Sequence, residues 1–182
     1  MKDKKILNVG CGSQKYGTDF IDIYPSRKEV RKCDVAKEKF PYKEETFDEV
    51  YSKNLFEHIA NLPHLLNEMK RVLKKQGKIK ILTDNAGFFL FHFPLRRNNF
   101  LQHNSNSVRE GKEDRHYFLF TPLHLRNHLE RIGGFNKISV EYAYASERKI
   151  VNIFKPLFNL LNKTFLVRLI NPHLVLEAYK NN

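Results

Sequence analysis

The residues best equipped for chemistry open the chain. Ile6-Leu7-Asn8-Val9 is an apolar strand-like run that leads directly into Gly10-Cys11-Gly12. A glycine turn at the carboxyl end of a first parallel strand is where open α/β sheets bind nucleotide-like ligands. Residues without a Cβ let backbone N–H groups come close to such a ligand. A dinucleotide fingerprint requires G-x-G-x-x-G. Here the sixth position is Lys15, which argues against a nicotinamide or flavin site. Asp22 lies in a second run, Phe20-Ile21-Asp22-Ile23, and an acid at the carboxyl end of strand two can accept both ribose hydroxyls. It follows Gly12 by only ten residues, so the first helix must be very short or absent. Asp34, in Cys33-Asp34-Val35, ends a third run and could accept from an adenine amino group while the neighbouring backbone reads the ring. Should an acceptor have to lose a proton, the candidate bases are His58, Asp84, His92 and His116.

These residues need a scaffold that brings strand ends together. Strand-like runs alternate with helical ones, which favours a parallel sheet covered by helices. The candidate strands are 5–9, 20–23, 30–34, 47–51, 78–83, 137–143 and 174–179. The clearest helix runs from about Leu62 to Lys75, with Leu62, Leu65, Leu66, Met69, Val72 and Leu73 on one face. Asn61 is its expected N-cap and Gly77 its expected C-terminal stop. A second helix begins at Thr121-Pro122, a cap followed by proline at the first helical position, and ends at Gly133-Gly134. Periodicity fades between Asp84 and His116, and a connection of that length is usually a functional lid or disordered. Residues 86–115 are therefore expected to form a substrate loop or lid. Residues 148–170 are expected to be an amphipathic helical insertion, split at Pro156, ahead of the last strand.

At 182 residues the length fits a single domain spanning 1–182. Thirty-two Lys and Arg against 20 Asp and Glu leave a net charge of +12. Such a surface favours anionic partners, nucleic acid and anionic lipid among them. Cys11 and Cys33 make no disulfide framework and suit a reducing cytosol. No CxxC occurs and no residue set resembles a zinc site, so no metal is expected. The amino terminus lacks the apolar core of a signal peptide, and no run of 18 apolar residues is present. A cytoplasmic location follows as the expectation, peripheral to the membrane if the basic, apolar 148–170 stretch lies on an anionic surface. That stretch could equally cover the sheet, cap a pocket or form a dimer contact. Several residues also have plain structural readings: Cys11 as a small buried side chain, His58 as a structural hydrogen-bonding group, and His116 as packing beside Tyr117-Phe118.

Taken in order, the motifs carry a resemblance. Leu7-Asn8-Val9-Gly10-Cys11-Gly12, Asp22, Asp34, Phe47-Asp48-Glu49-Val50, Phe56-Glu57-His58-Ile59 and Glu68-x-x-Arg71-Val72-Leu73-Lys74-x-x-Gly77-x-Ile79 together resemble the class I S-adenosylmethionine-dependent methyltransferases. The similarity is greatest to the small members with a shortened first helix. It covers Lys5 to Asn85 closely and the remainder loosely. It implies an α/β, Rossmann-like, seven-stranded and mostly parallel sheet with helices on both faces and the last strand antiparallel. It implies S-adenosyl-L-methionine as cofactor. Asn8, Gly10, Cys11 and Gly12 would line its methionine part, Asp22 and Ile23 its ribose, and Asp34 and Val35 its adenine. Asn54 would face it after strand four, and His58 would lie close by. Many members carry an acid where Asn8 stands. The implied activity is methyl transfer to an O or N atom of a small-molecule, glycan or lipid-linked acceptor. RNA, or a binding protein that keeps the fold without turnover, are the alternatives.

Overall fold

The computed structural model describes residues 4–89, 108–109, 112–113, 116–143, 160–161, 164 and 166–182. The chain enters through β1 (Ile6–Val9), β2 (Asp19–Asp22), β3 (Val30–Lys32) and β4 (Phe47–Lys53). A 3-10 turn at Phe56–His58 precedes α1 (Leu62–Val72) and β5 (Leu73–Asp84). The short strands β6 (Val108–Arg109) and β7 (Lys112–Glu113) pair with each other. α2 (Pro122–Ile132), β8 (Phe135–Ala143), α3 (Val167–Ile170) and β9 (His173–Lys180) follow.

Seven strands form one sheet in the order β3-β2-β1-β4-β5-β9-β8. β1 pairs in parallel with both β2 and β4, and β4 in parallel with β5. β9, the last strand, is inserted between β5 and β8 and runs antiparallel to both. This is the seven-stranded, mostly parallel sheet with an antiparallel last strand that the sequence implied. The chain leaves β1 towards β2 on one side and returns to β4 on the other. Strand order therefore reverses at β1 and β4, and ligands of open α/β sheets bind at the carboxyl ends beside such a switch.

Side-chain alternation sorts the sheet into two unlike faces. Leu7, Val9, Val50, Ile79, Ile81, Leu174, Leu176 and Ala178 are buried in one cluster with Leu65, Leu66, Met69 and Val72 of α1 and Leu125 and Leu129 of α2. α1 and α2 thus share a face and pack against each other. The intervening residues make a line of ion pairs. Lys4 and Lys78 approach Glu49 at 2.6 and 3.8 Å, and Lys78 and Lys80 approach Glu177 at 3.3 and 2.9 Å. The run Lys78-Ile79-Lys80-Ile81 is this division written in sequence.

Both helix starts follow their caps: Asn61 accepts from the His64 N–H and Thr121 from the His124 N–H, each at 3.3 Å. The end of α1 differs from expectation. The helix stops at Val72, Leu73 is already extended, and the chain passes straight into β5. Gly77 is not a helix stop but part of an irregular stretch inside β5, where the pairing with β4 steps from Phe47–Leu73 to Glu49–Lys78, next to Gln76 at φ +58°. A Cβ at Gly77 would come within 2.8 Å of both Leu73 and the Lys74 carbonyl, so the close approach demands glycine. The spans 86–115 and 148–170 lie largely outside the described residues. His92 and Pro156 lie outside them altogether. Among the described residues no helix is long and apolar enough to cross a membrane.

Candidate active site

The loop after β1 folds back on β2. Gly10 and Gly12 adopt φ of +64° and +51°, which residues with a Cβ tolerate poorly. The Gly10 and Cys11 N–H groups both donate to the Ile21 carbonyl, at 2.9 and 3.2 Å. The Gly12 N–H donates to Asp22 Oδ2 at 2.8 Å, and the Tyr24 N–H to Asp22 Oδ1 at 2.8 Å. These glycine-loop N–H groups are therefore turned towards β2 rather than held out for a ligand. What the loop offers is the Asp22 carboxylate itself. Each of its oxygens accepts one backbone N–H and retains a second lone-pair direction.

No helix stands between β1 and β2, in keeping with the ten-residue step. Asn8 and Glu49 strap down the segment that replaces it. Asn8 is fully buried, and its Nδ2 donates to the Tyr16 carbonyl at 2.9 Å. A carboxylate could not make that bond, which gives the neutral residue a reason to be here. Asn8 Oδ1 is buried without a partner among the described residues. The Tyr16 hydroxyl donates to Glu49 Oε1 at 2.7 Å, a bond that is the main cause of its pKa being pushed up to about 12. Burial alone would raise the pKa of Glu49. Hydrogen bonds from Lys4 and Tyr16, with the Lys78 charge, outweigh it and hold the carboxyl below its ordinary value.

Cys11 is fully buried. Burial, then the nearby Asp22 charge, pushes its thiol pKa up, which suits packing rather than nucleophilic attack. Ile23 is 40% exposed beside Asp22. Asp34 closes a local turn: its Oδ1 accepts the Ala36 N–H at 3.1 Å and its Oδ2 lies 3.4 Å from Lys37 Nζ. Val35 is buried, so only its backbone can meet a ligand there. Asn54 follows β4 at φ +53° with its side chain exposed, and its N–H donates to the Leu82 carbonyl at 2.9 Å.

Two histidine groupings lie beyond β4 and β5. The His58 and His116 rings meet edge to face, with centroids 4.3 Å apart. The Tyr117 and Phe118 N–H groups donate to the Glu57 carbonyl, which brings His116 to the 3-10 turn. The Glu57 side chain, buried, accepts from the Thr83 hydroxyl at 2.7 Å. Asp84 does not join this pair; it faces His173 Nδ1 at 3.4 Å. Local sequence does not single out Tyr16, Glu57 or His173 as site residues, because their partners lie 33, 26 and 89 residues away.

Residues 7–81 match the family described as a methyltransferase domain. Residues 7–81 thus resemble a methyltransferase domain, set within the seven-stranded sheet. A protein of uncharacterised function from Methanocaldococcus jannaschii is 29% identical over 123 residues, 54% of this chain and 53% of that one. The chain thus spans about half the length of the curated relative it matches. A SAM-dependent methyltransferase from Archaeoglobus fulgidus shares the fold with a TM-score of 0.63 at 17% identity, over 98% of this chain and 87% of that one. Phosphoethanolamine N-methyltransferase 2 of Haemonchus contortus, solved with S-adenosyl-L-methionine, gives 0.62 at 16% identity over 98% and 49%.

The loop after β1 distinguishes its two glycines. A Cβ on Gly10 would lie 2.5 Å from Leu55 Cδ1, whereas one on Gly12 would meet nothing within 4 Å. Both alanine variants carry a left-handed backbone cost of about 1–2 kcal/mol. Only Gly10→Ala must also displace Leu55. Denaturant unfolding should show Gly10→Ala as the less stable of the two; equal midpoints would contradict this packing.

Proposed function

We propose that this methyltransferase domain takes the methyl group of S-adenosylmethionine and places it on an O or N atom of a small-molecule, glycan or lipid-linked acceptor. The observation that carries the reading is Asp22, whose carboxylate braces the glycine loop and still has lone pairs directed outwards. The residues present fit the cofactor. Asp22 would accept from the ribose hydroxyls, and Ile23 would flank the ring system with its exposed side chain. The open space over Gly12 leaves room for the methionine part. Asp34 would accept from the adenine amino group once Lys37, whose side chain is 81% exposed, swings aside. The cofactor supplies a sulfonium-bound methyl group and departs as a neutral thioether.

This chemistry asks the protein mainly for alignment and exclusion of water, which are worth about 7–11 kcal/mol when reactants are well oriented. The site at the β1/β4 switch provides a fixed backbone for that purpose. A base matters only where the acceptor must lose a proton, and it then adds about 10²–10⁴-fold. His58 and His116, edge to face just beyond β4, would shape the acceptor side.

A labelled methyl group on S-adenosylmethionine, incubated with the protein and a cell extract, tests the reading. Label should pass to small molecules or to the lipid-extractable fraction. Label in RNA would contradict the acceptor class, and none in any fraction would contradict the activity.

A further inference from the structure

We propose that His173 accepts the proton released by the methyl acceptor, and that Asp84 positions it for this. The inference rests on the methyl-transfer reading above and names the residue that would serve it.

The two residues are opposite each other at the end of the antiparallel β5–β9 pairing. His173 Nδ1 is 3.4 Å from Asp84 Oδ1, and both side chains are 17% exposed. Nδ1 is buried and makes no hydrogen bond at this distance, a contact of the kind that tightens only when substrate binds. Asp84 is the last residue of β5, so the pair stands at the same end of the sheet as Asn54, which follows β4. Along β5, Ile79, Ile81 and Thr83 point into the core, and Asp84 falls in the alternate set.

The backbone around the pair is unusually well fixed. Asn85, itself buried, donates its N–H to the Pro172 carbonyl at 2.8 Å. Its Nδ2 donates to the carbonyls of Asn171 and Arg168, each at 2.7 Å. The segment entering β9 is thereby stitched to the segment leaving β5, and the dyad sits at the seam. The Asp84–His173 contact is not needed to hold these strands, which are already paired from Lys78–Tyr179 onwards.

The chemistry follows from which nitrogen faces the acid. A carboxylate beside Nδ1 favours the tautomer with the proton on Nδ1, leaving the Nε2 lone pair as the base. Nε2 makes no hydrogen bond to the described residues. In the transfer step the acceptor's lone pair bonds to the methyl carbon. The carbon–sulfur bond breaks with its electron pair remaining on sulfur. The acceptor's proton passes to His173 Nε2, Asp84 stabilises the imidazolium, and the proton then leaves to solvent.

Diethyl pyrocarbonate, which acylates unprotonated imidazole nitrogen, probes Nε2 without requiring the acceptor. In the native protein His173 should be acylated. Asp84→Ala should slow that acylation at least tenfold, while exposed His124 on α2 reacts unchanged as internal reference. Nitrogen-15 spectra of the native protein should show neutral His173 protonated at Nδ1. With the fraction labelled by native protein, His173→Gln should cut transfer about a hundredfold, with S-adenosylhomocysteine affinity unaltered. An unreactive His173, an unchanged rate in Asp84→Ala, an Nε2-protonated tautomer or undiminished transfer by His173→Gln would each overturn the proposal. Absence of S-adenosylhomocysteine binding by the native protein would instead count against the cofactor reading.

Discussion

Asp22→Ala weakens S-adenosylmethionine binding at least tenfold in calorimetry. The expectation has two sources. The carboxylate would lose its hydrogen bonds to the ribose, and bonds to a charged group are worth about 1.5–3 kcal/mol each. A tenfold loss corresponds to only about 1.4 kcal/mol. The same substitution strips the Gly12 and Tyr24 N–H groups of their acceptor, so the loop loses the brace that joins it to β2. Ligand contact and loop geometry are thus removed together. Affinity within twofold of native would mean that Asp22 only closes the turn.

The second large effect concerns stability. Arg71 donates to both oxygens of Glu68, through Nε at 2.8 Å and Nη2 at 2.7 Å. It also donates to the carbonyls of Tyr42 at 2.9 Å and Phe40 at 3.1 Å, while the Phe40 N–H donates to Glu68 at 2.7 Å. One ion pair on α1 therefore pins the segment leading into β4. The side chains are 21% and 12% exposed, so solvent screens the pair only partly. Arg71→Met leaves the carboxylate and both carbonyls short of donors, and should cost about 2–4 kcal/mol in denaturant unfolding, somewhat less than a fully buried pair.

The pH dependence has a definite sign. Burial alone would raise the Glu68 pKa, but the Arg71 hydrogen bond, the Phe40 N–H and the Arg71 charge together hold it below its ordinary value. A carboxyl depressed in the folded state contributes stability above its unfolded pKa of about 4.3, and that contribution disappears as pH falls through the folded value. The gap between native and Arg71→Met should therefore narrow as the solution is acidified below about pH 4. A gap independent of pH would assign the loss to packing of the arginine stem.

Much of this was legible in the sequence because it is local. Each of the seven sheet strands overlaps a strand expected from the sequence, and both helix caps precede the expected residues. The ten-residue step from Gly12 to Asp22 alone requires the first helix to be very short or absent. Gly77 shows where local reading fails. A glycine just past an apolar helical stripe looks like a helix stop, yet Leu73 pairs with Phe47 and ends the helix four residues earlier. The site was legible as a set of positions, not as a set of bonds. Asn8 reads as a weakened ligand residue, and only the fold brings the Tyr16 carbonyl to its amide. Asp84 reads as an isolated acid until β9 returns His173 to it across 89 residues.

The central claim is that the glycine loop and Asp22 form a site for S-adenosylmethionine. Isothermal titration of the native protein with that cofactor tests it most directly. The predicted result is saturable binding with one cofactor per chain, reproduced by S-adenosylhomocysteine. No heat of binding at millimolar cofactor would contradict it.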